Sequence, residues 1–375
     1  MLKVRVAILL ALLPLWILGC RTAQKKEIPL SVTEVPDSSM PVAPPAPLVL
    51  PPVVPPATAG PVPPTVGPKQ ADLAPSQLWP TNWTNTWIPL ESWGKLNGLG
   101  RPIQTASIPN PTYELQTTNG TVVLKVGSRI AKYDGLEYWL GYPPQLIKGA
   151  PHIHSLDARK NLQPLVSLPS HRFKLGRAVV IDPGHGGKDS GTKNILKNEF
   201  EKNYTLDWGL RLARLLAGNG WKVFLTRTND VDISLADRVA LAEHVNADLF
   251  LSLHFNSALP NREKAGLETY CLTPTGLPSN LLRTREDDLK QVYPNNAFDE
   301  ENFQFALRLH RSLVRSLSAT DGGVRRARFM GVLRGQNRPA VLVEAGYLSN
   351  PREAKVISSP SYRQNLAEAV AKALE

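Results

Sequence analysis

Cysteine is almost missing: Cys20 and Cys271 are the only two in 375 residues. So few thiols exclude a disulfide scaffold, and they exclude the cysteine-rich closed site of a structural zinc. No apolar run reaches the roughly 20 residues of a transmembrane helix, since Ala7–Leu18 is shorter. The glycine-rich stretch at 184–187 lacks a Gly-Lys-Ser/Thr ending, because Lys188 is followed by Asp189, so it is not a phosphate cradle. Acidic residues are also short, 32 against 43 Lys and Arg, for a net charge of +11. That surface favours anionic partners such as phospholipid headgroups or wall polymers. Its basic residues are scattered and match no nucleic-acid module, so nucleic acid is not an expected partner.

The first twenty residues point to export. Lys3 and Arg5 precede the apolar Ala7–Leu18, and the segment closes on Ile17-Leu18-Gly19-Cys20. A charged start, a short apolar core and a small residue before the cut describe a secretory signal. Ile-Leu-Gly-Cys resembles the lipobox of bacterial lipoproteins, which implies lipidation at Cys20 and a membrane contact through that lipid. Arg21, rather than Asp, follows the lipidated position. By analogy with lipoprotein sorting, an outer-membrane location facing the periplasm is expected. Cys271, left without a disulfide partner, sits in the apolar run Gly266–Leu272 and reads as a buried core residue.

Four segments follow from composition. Residues 1–20 are the signal and 21–77 a proline-rich linker; Pro36–Pro68 alone holds thirteen prolines and one charge, Asp37. Such a stretch cannot bury a core and reads as an extended spacer. Residues 78–169 hold five of the eight tryptophans and short strand-like runs at Tyr113–Thr117, Gly120–Val126 and Glu137–Leu140. Asn119-Gly120 is a hairpin turn signal between the first two. Trp87–Trp93 has a weak echo in His152–Ala158, and the segment resembles the small α+β stalk domain named after copper amine oxidases. His152 and His154 are candidate metal ligands, with surface or turn positions as the alternative.

Residues 177–375 alternate strands and helices, the signature of an α/β fold with a mostly parallel sheet flanked by helices. Strands are expected at Arg177–Asp182, Trp221–Thr226, Ala247–His254, Gly266–Leu272, Phe329–Leu333 and Pro339–Glu344. Helices are expected at Glu201–Ala217, Leu235–Val245, Asn302–Ser318 and Pro360–Ala373. His185, His254 and Glu344 stand at strand ends, where open α/β sheets bind ligands. Glu201 opens a helix. Taken singly, each has a bland reading: Glu201 as a capping-box residue with Asn198, His254 as a hydrogen-bonded core histidine. A carboxylate after four aliphatics, as at Glu344, is costly unless paired or functional. Glu199 is close enough to compete with Glu201. His171, His244 and His310 have no strand-end setting and read as surface or helix residues.

From Val179 onward the chain resembles the zinc-dependent N-acetylmuramoyl-L-alanine amidases of the third amidase family. The matching stretches are Ile-Asp-Pro-Gly-His-Gly-Gly at 181–187, Glu-Lys-Asn at 201–203, Leu-Thr-Arg at 225–227, Ser-Leu-His at 252–254 and Val-Leu-Val-Glu-Ala-Gly-Tyr-Leu-Ser-Asn at 341–350. The resemblance implies a six-stranded sheet, one zinc ion held by His185, Glu201 and His254, and a catalytic Glu344. It further implies cleavage of the bond between the lactyl group of N-acetylmuramic acid and L-alanine. Peptidoglycan and a protein activator are then the expected partners beside the membrane. Asp182 and Asn256 are candidates to orient the ligand histidines, and Asn256 and Arg227 to contact substrate. Arg227 reads equally as a surface ion pair. The long polar stretch Thr273–Glu301 reads as a lid or groove wall, or as a plain insertion. Two other functions stay open: a zinc carboxypeptidase or endopeptidase cutting within the stem peptide, and a non-catalytic wall-binding lipoprotein.

Overall fold

The computed structural model describes residues 79–106, 110–166, 177–282 and 287–375. The signal segment with Cys20, the proline-rich linker and His171 lie outside the described residues.

The first part contains eight strands, β1 (Trp87–Pro89), β2 (Ile103–Ala106), β3 (Thr112–Thr117), β4 (Gly120–Lys125), β5 (Ile130–Tyr133), β6 (Leu136–Trp139), β7 (Gln145–Ile147) and β8 (Ala150–His154). β3 and β4 form the expected hairpin, with Thr117 opposite Gly120 and Thr118-Asn119 as its two-residue turn. The Thr117 hydroxyl accepts from the Gly120 amide at 3.0 Å and donates to its carbonyl at 2.7 Å. The sequence echo has a structural counterpart. β1 and β8 pair antiparallel about Ile88 and Ile153, both buried, and a helix follows each strand. His154 is buried there, its Nδ1 accepting from the Leu156 amide and its ring 4.2 Å from that of Tyr142. His152 Nδ1 lies 2.9 Å from the Ala150 carbonyl. Neither joins a group of metal-binding side chains among the described residues.

The second part adds six strands: β9 (Ala178–Pro183), β10 (Lys222–Leu225), β11 (Leu249–Asn256), β12 (Leu267–Cys271), β13 (Asp321–Arg326) and β14 (Ala340–Tyr347). Their order is β10-β9-β11-β14-β12-β13; only the β14–β12 pairing is antiparallel. The apolar runs lack alternation because both faces are covered. Val179, Ile181, Leu251 and Val343 face helices Glu201–Gly218, Asp299–Leu317 and Pro360–Leu374. Val180, Phe250, Ala340 and Leu342 face the opposite layer, with Ala242 and Leu333. Cys271 is buried in the first of these layers.

One expected strand is a helix turn instead. Phe329–Leu333 holds the turn Gly331–Arg334, whose Val332 and Leu333 pack on the sheet as a lid of the second apolar layer. The strand lies upstream at Asp321–Arg326, a run with two glycines and three charges. Its place is set by neighbours: it pairs parallel with β12 on one side and β6 on the other.

That second pairing, Val324 with Tyr138, joins the two parts into one eleven-stranded sheet. Asp321 accepts the Glu137 amide at 2.8 Å across the join. Arg326, itself buried, donates to the Lys160 carbonyl and the Asn161 side chain, both at 3.0 Å. The stretch after β12 is pinned too. Arg328 pairs closely with Asp287 and donates to the carbonyls of Pro274 and Leu277, while Asn280 reaches the Leu140 carbonyl at 3.0 Å. These contacts tie the described part of Thr273–Glu301 to its neighbours.

Candidate metal and catalytic site

β9 leaves the sheet through Gly184 into His185. A Cβ on Gly184 would sit 2.2 Å from the His254 ring, so only glycine lets the two histidines approach. His185 has φ +62°, a left-handed conformation costly for a side chain of this kind. Surrounding donors hold it there: Arg238 donates to the His185 carbonyl at 2.9 Å, and Arg227 to the Pro183 and Gly184 carbonyls at 2.9 and 2.8 Å.

His254 lies two residues before the end of β11, and Glu201 is the first residue of its helix. The capping partner is Asn203, which accepts the Phe200 amide; Glu201 therefore turns inward. Its Oε1 accepts the Phe255 amide and its Oε2 the Thr192 amide, each at 3.0 Å. That carboxylate lies 3.1 Å from His185 Nε2 and 2.9 Å from His254 Nδ1. The three donor atoms fall within 4.8 Å of one another, the only such group among the described residues. Burial opposes charge on Glu201, but hydrogen bonds from His185 and His254 outweigh it and hold its carboxyl far below the ordinary range. Burial likewise opposes charge on His185, and the bonds and charges of Glu201 and Asp189 raise it nonetheless.

Glu344 stands beside this group. On β14 it is register partner of His254 across one strand boundary and of Glu268 across the other. Paired positions share a sheet face. The arrangement can therefore hold a divalent cation next to a half-buried carboxylate, which is the equipment of metal-assisted hydrolysis.

Several expected roles need correction. Arg227 is not a surface ion pair: it is 2% exposed and donates to the carbonyls of Pro183, Gly184, Lys202 and Asn229. It braces the ligand loop to the helix that carries Glu201. Arg227→Met should therefore lower unfolding stability by about 2–4 kcal/mol, since it strands buried acceptors. An unchanged urea midpoint with a raised KM would support the substrate role.

Asp182 does not touch a histidine. Its carboxylate accepts from Thr226, Arg238 and Ser252 at 2.6–2.7 Å, beneath the site. The Asn256 amide is also engaged elsewhere, donating to Glu268 at 3.2 Å and accepting the Ser257 amide at 2.8 Å. The carboxylate paired with His185 is Asp189, 2.8 Å from Nδ1 and four residues along the same loop. A carboxylate so near a ligand histidine was the available signal for it. Glu199 is drawn away by a short hydrogen bond from Tyr204. His310 is a helix residue, fully buried between Thr269 and Asp321.

Asp182 also makes stability depend on pH. Burial would raise its carboxyl, but the Arg238 charge and the hydrogen bonds from Thr226, Arg238 and Ser252 leave it lowered. A depressed folded-state value stabilises fully above the ordinary carboxylate value of about 3.9 and less as pH falls below it. Asp182→Asn should be less stable at neutral pH, and its urea midpoint should fall less steeply between about pH 5 and 2. An unchanged slope would remove Asp182 from the acid transition.

Residues 179–375 match the family model described as N-acetylmuramoyl-L-alanine amidase. The probable cell wall amidase LytH of Staphylococcus epidermidis is 31% identical over 210 residues, which are 56% of this chain and 60% of that protein. N-acetylmuramoyl-L-alanine amidase AmiA of Escherichia coli is 30% identical over 217 residues, 52% of this chain and 74% of that protein. Among solved structures, N-acetylmuramoyl-L-alanine amidase AmiC2 of Nostoc punctiforme is 32% identical with a TM-score of 0.44, covering 53% of this chain and 96% of that one. The chain thus spans three fifths of the length of its staphylococcal relative. With a family model matched over more than half of its residues, around two histidines and a glutamate that meet at the strand ends, the chain belongs to the N-acetylmuramoyl-L-alanine amidase family.

Proposed function

We propose that this chain is a zinc-dependent peptidoglycan hydrolase that cleaves the amide between the lactyl group of N-acetylmuramic acid and L-alanine. Its family membership supports the bond, and the convergence of His185, Glu201 and His254 beside Glu344 supports the chemistry. The convergence carries the reading. Tetrahedral zinc with bonds of about 2.0–2.2 Å keeps its donors about 3.3–3.6 Å apart. The separations of 3.1 and 2.9 Å to Glu201 lie within a few tenths of that. Three donors leave a position open, as a catalytic site requires, and the Asp189 carboxylate lies 2.8 Å from the other ring nitrogen of His185.

Zinc, if held by His185, Glu201 and His254, would supply a Lewis acid for the scissile carbonyl and lower the pKa of water to about 7. The protein supplies the rest. Glu344 accepts a proton from the attacking water and delivers it to the leaving alanine nitrogen, a general base that becomes a general acid. The buried Arg227 and Arg238 keep the His185 turn from relaxing during that exchange. Lipidation at Cys20 would tether the enzyme at the membrane, with the proline-rich linker as spacer.

Metal analysis together with mass spectrometry of digested wall fragments tests this reading. One zinc per chain and intact stem peptides with L-alanine at the amino end are expected. Shortened peptides would replace it with the carboxypeptidase or endopeptidase alternative.

A further inference from the structure

We infer that Glu268 is a positioning residue for the proposed hydrolysis: it ties the end of β11 to the end of β14 and so fixes Glu344 against His254. This rests on the wall-amidase reading and adds a residue to its machinery.

The two strands change register at the site itself. His254 is opposite Glu344, but the next pair is Asn256 with Tyr347, two residues on in β11 and three in β14. The extra residue makes a bulge, and Gly346 within it has φ +115°. Past the bulge the Leu348 amide donates to the Asn256 carbonyl at 2.9 Å. A bulge directly after Glu344 sets the direction of that side chain, so whatever holds the bulge holds the carboxylate.

Glu268 holds it. On β12 it is opposite Glu344 and 1% exposed. Its oxygens take both members of the reset pair: Oε1 accepts from the Tyr347 hydroxyl at 2.8 Å and Oε2 from the Asn256 amide at 3.2 Å. Oε2 also accepts from the Tyr270 hydroxyl at 2.6 Å, while Oε1 lies 3.0 Å from Arg325 and 3.7 Å from Lys264. Strands β11 to β14 and a loop thus meet on one carboxylate. Burial, and then the Glu268 charge, push both phenols up, so Tyr270 and Tyr347 stay protonated and donate. Gly322 on β13 leaves the room, since a Cβ there would lie 2.6 Å from Glu268 Cγ.

Stability does not account for an anion in this place. Like charges directly opposite one another across two strands repel. Buried ion pairs can often be exchanged for apolar side chains with no loss of stability. A carboxylate suits the clamp because both of its oxygens accept, each from more than one donor.

The test joins turnover to a measurement that needs no substrate. In Glu268→Gln one end of the side chain becomes a donor facing donors, and kcat on wall fragments should fall about 10–100-fold, the effect of a misplacement near 1 Å. KM and zinc content should match the parent chain. Hydrogen exchange of the Leu348 amide should quicken about tenfold. That of Phe250, which donates to the Pro339 carbonyl at the other end of the same strand pair, should not change. Tyr347→Phe removes a single oxygen and should lower kcat too; combined with Glu268→Gln it should add nothing further. Tyr270→Phe removes a like bond that stays within β12 and should leave kcat as it is.

Unchanged kcat in Glu268→Gln, a rise in KM alone, loss of zinc, or losses that multiply in the double variant each overturn the inference. If a thermal melt finds Glu268→Gln unfolded, Tyr347→Phe decides, and unchanged turnover with unchanged Leu348 exchange overturns it. The amidase reading is judged separately, by the fragments that the parent chain releases. Faster Leu348 exchange in a chain that releases no stem peptide would sink that reading and leave the clamp standing.

Discussion

Glu344→Gln should keep its zinc and lose about three orders of magnitude in kcat, within the range that a positioned general acid–base supplies. The replacement is nearly isosteric, and strand β14 is held on both sides by β11 and β12, so the backbone has no reason to move. The amide cannot accept the proton of the attacking water. His185, Glu201 and His254 are untouched by the change, and metal content should match the parent chain. The measurement is a pair: zinc per chain by mass spectrometry and turnover on purified wall fragments. A variant retaining most of its turnover would eliminate Glu344 as the proton carrier. Loss of zinc in step with turnover would instead make it a structural support of the metal group.

His185→Ala should behave in the opposite way, losing metal first and activity as a consequence. Replacing even a residue that only orients a ligand costs about 10–100-fold in metal affinity, and deletion of the ligand itself should cost more than about 100-fold. Glu201 would then retain one imidazole partner of two, with its carboxylate still fixed by the Phe255 and Thr192 amides. Added zinc should not restore full turnover in this variant, whereas chelated parent chain should recover when zinc is returned. Full metal content in His185→Ala would mean that the donors do not share an ion.

His185, His254 and Glu344 were legible in the sequence because each stands at a local signal, an unalternating aliphatic run followed by histidine or glutamate, or a glycine-rich turn, whereas Glu201 was marked only by a helix start. Strands β9, β11 and β14 lie within two or three residues of their expected ends for that reason. β13 was not legible. Its glycines and arginines carry no strand pattern, and its conformation is imposed by pairing with β12 and β6. The apolar Phe329–Leu333 nearby drew the strand expectation, but those side chains cover a sheet face from a helical turn.

Chain chemistry alone established the kind of site: two imidazoles and one carboxylate at expected strand ends, a second carboxylate at a helix start, almost no thiols, and a family likeness running from Val179 to the end. Periodicity and turn residues are short-range properties, and a linear reading captures them. Which partner each charged group takes is a long-range property. Arg227 meets four carbonyls and Asn256 meets Glu268 only because segments distant in the chain are folded together. The same holds for the union of the small part with the catalytic sheet. A single strand pairing between Val324 and Tyr138 makes one surface of them, and no local pattern encodes it.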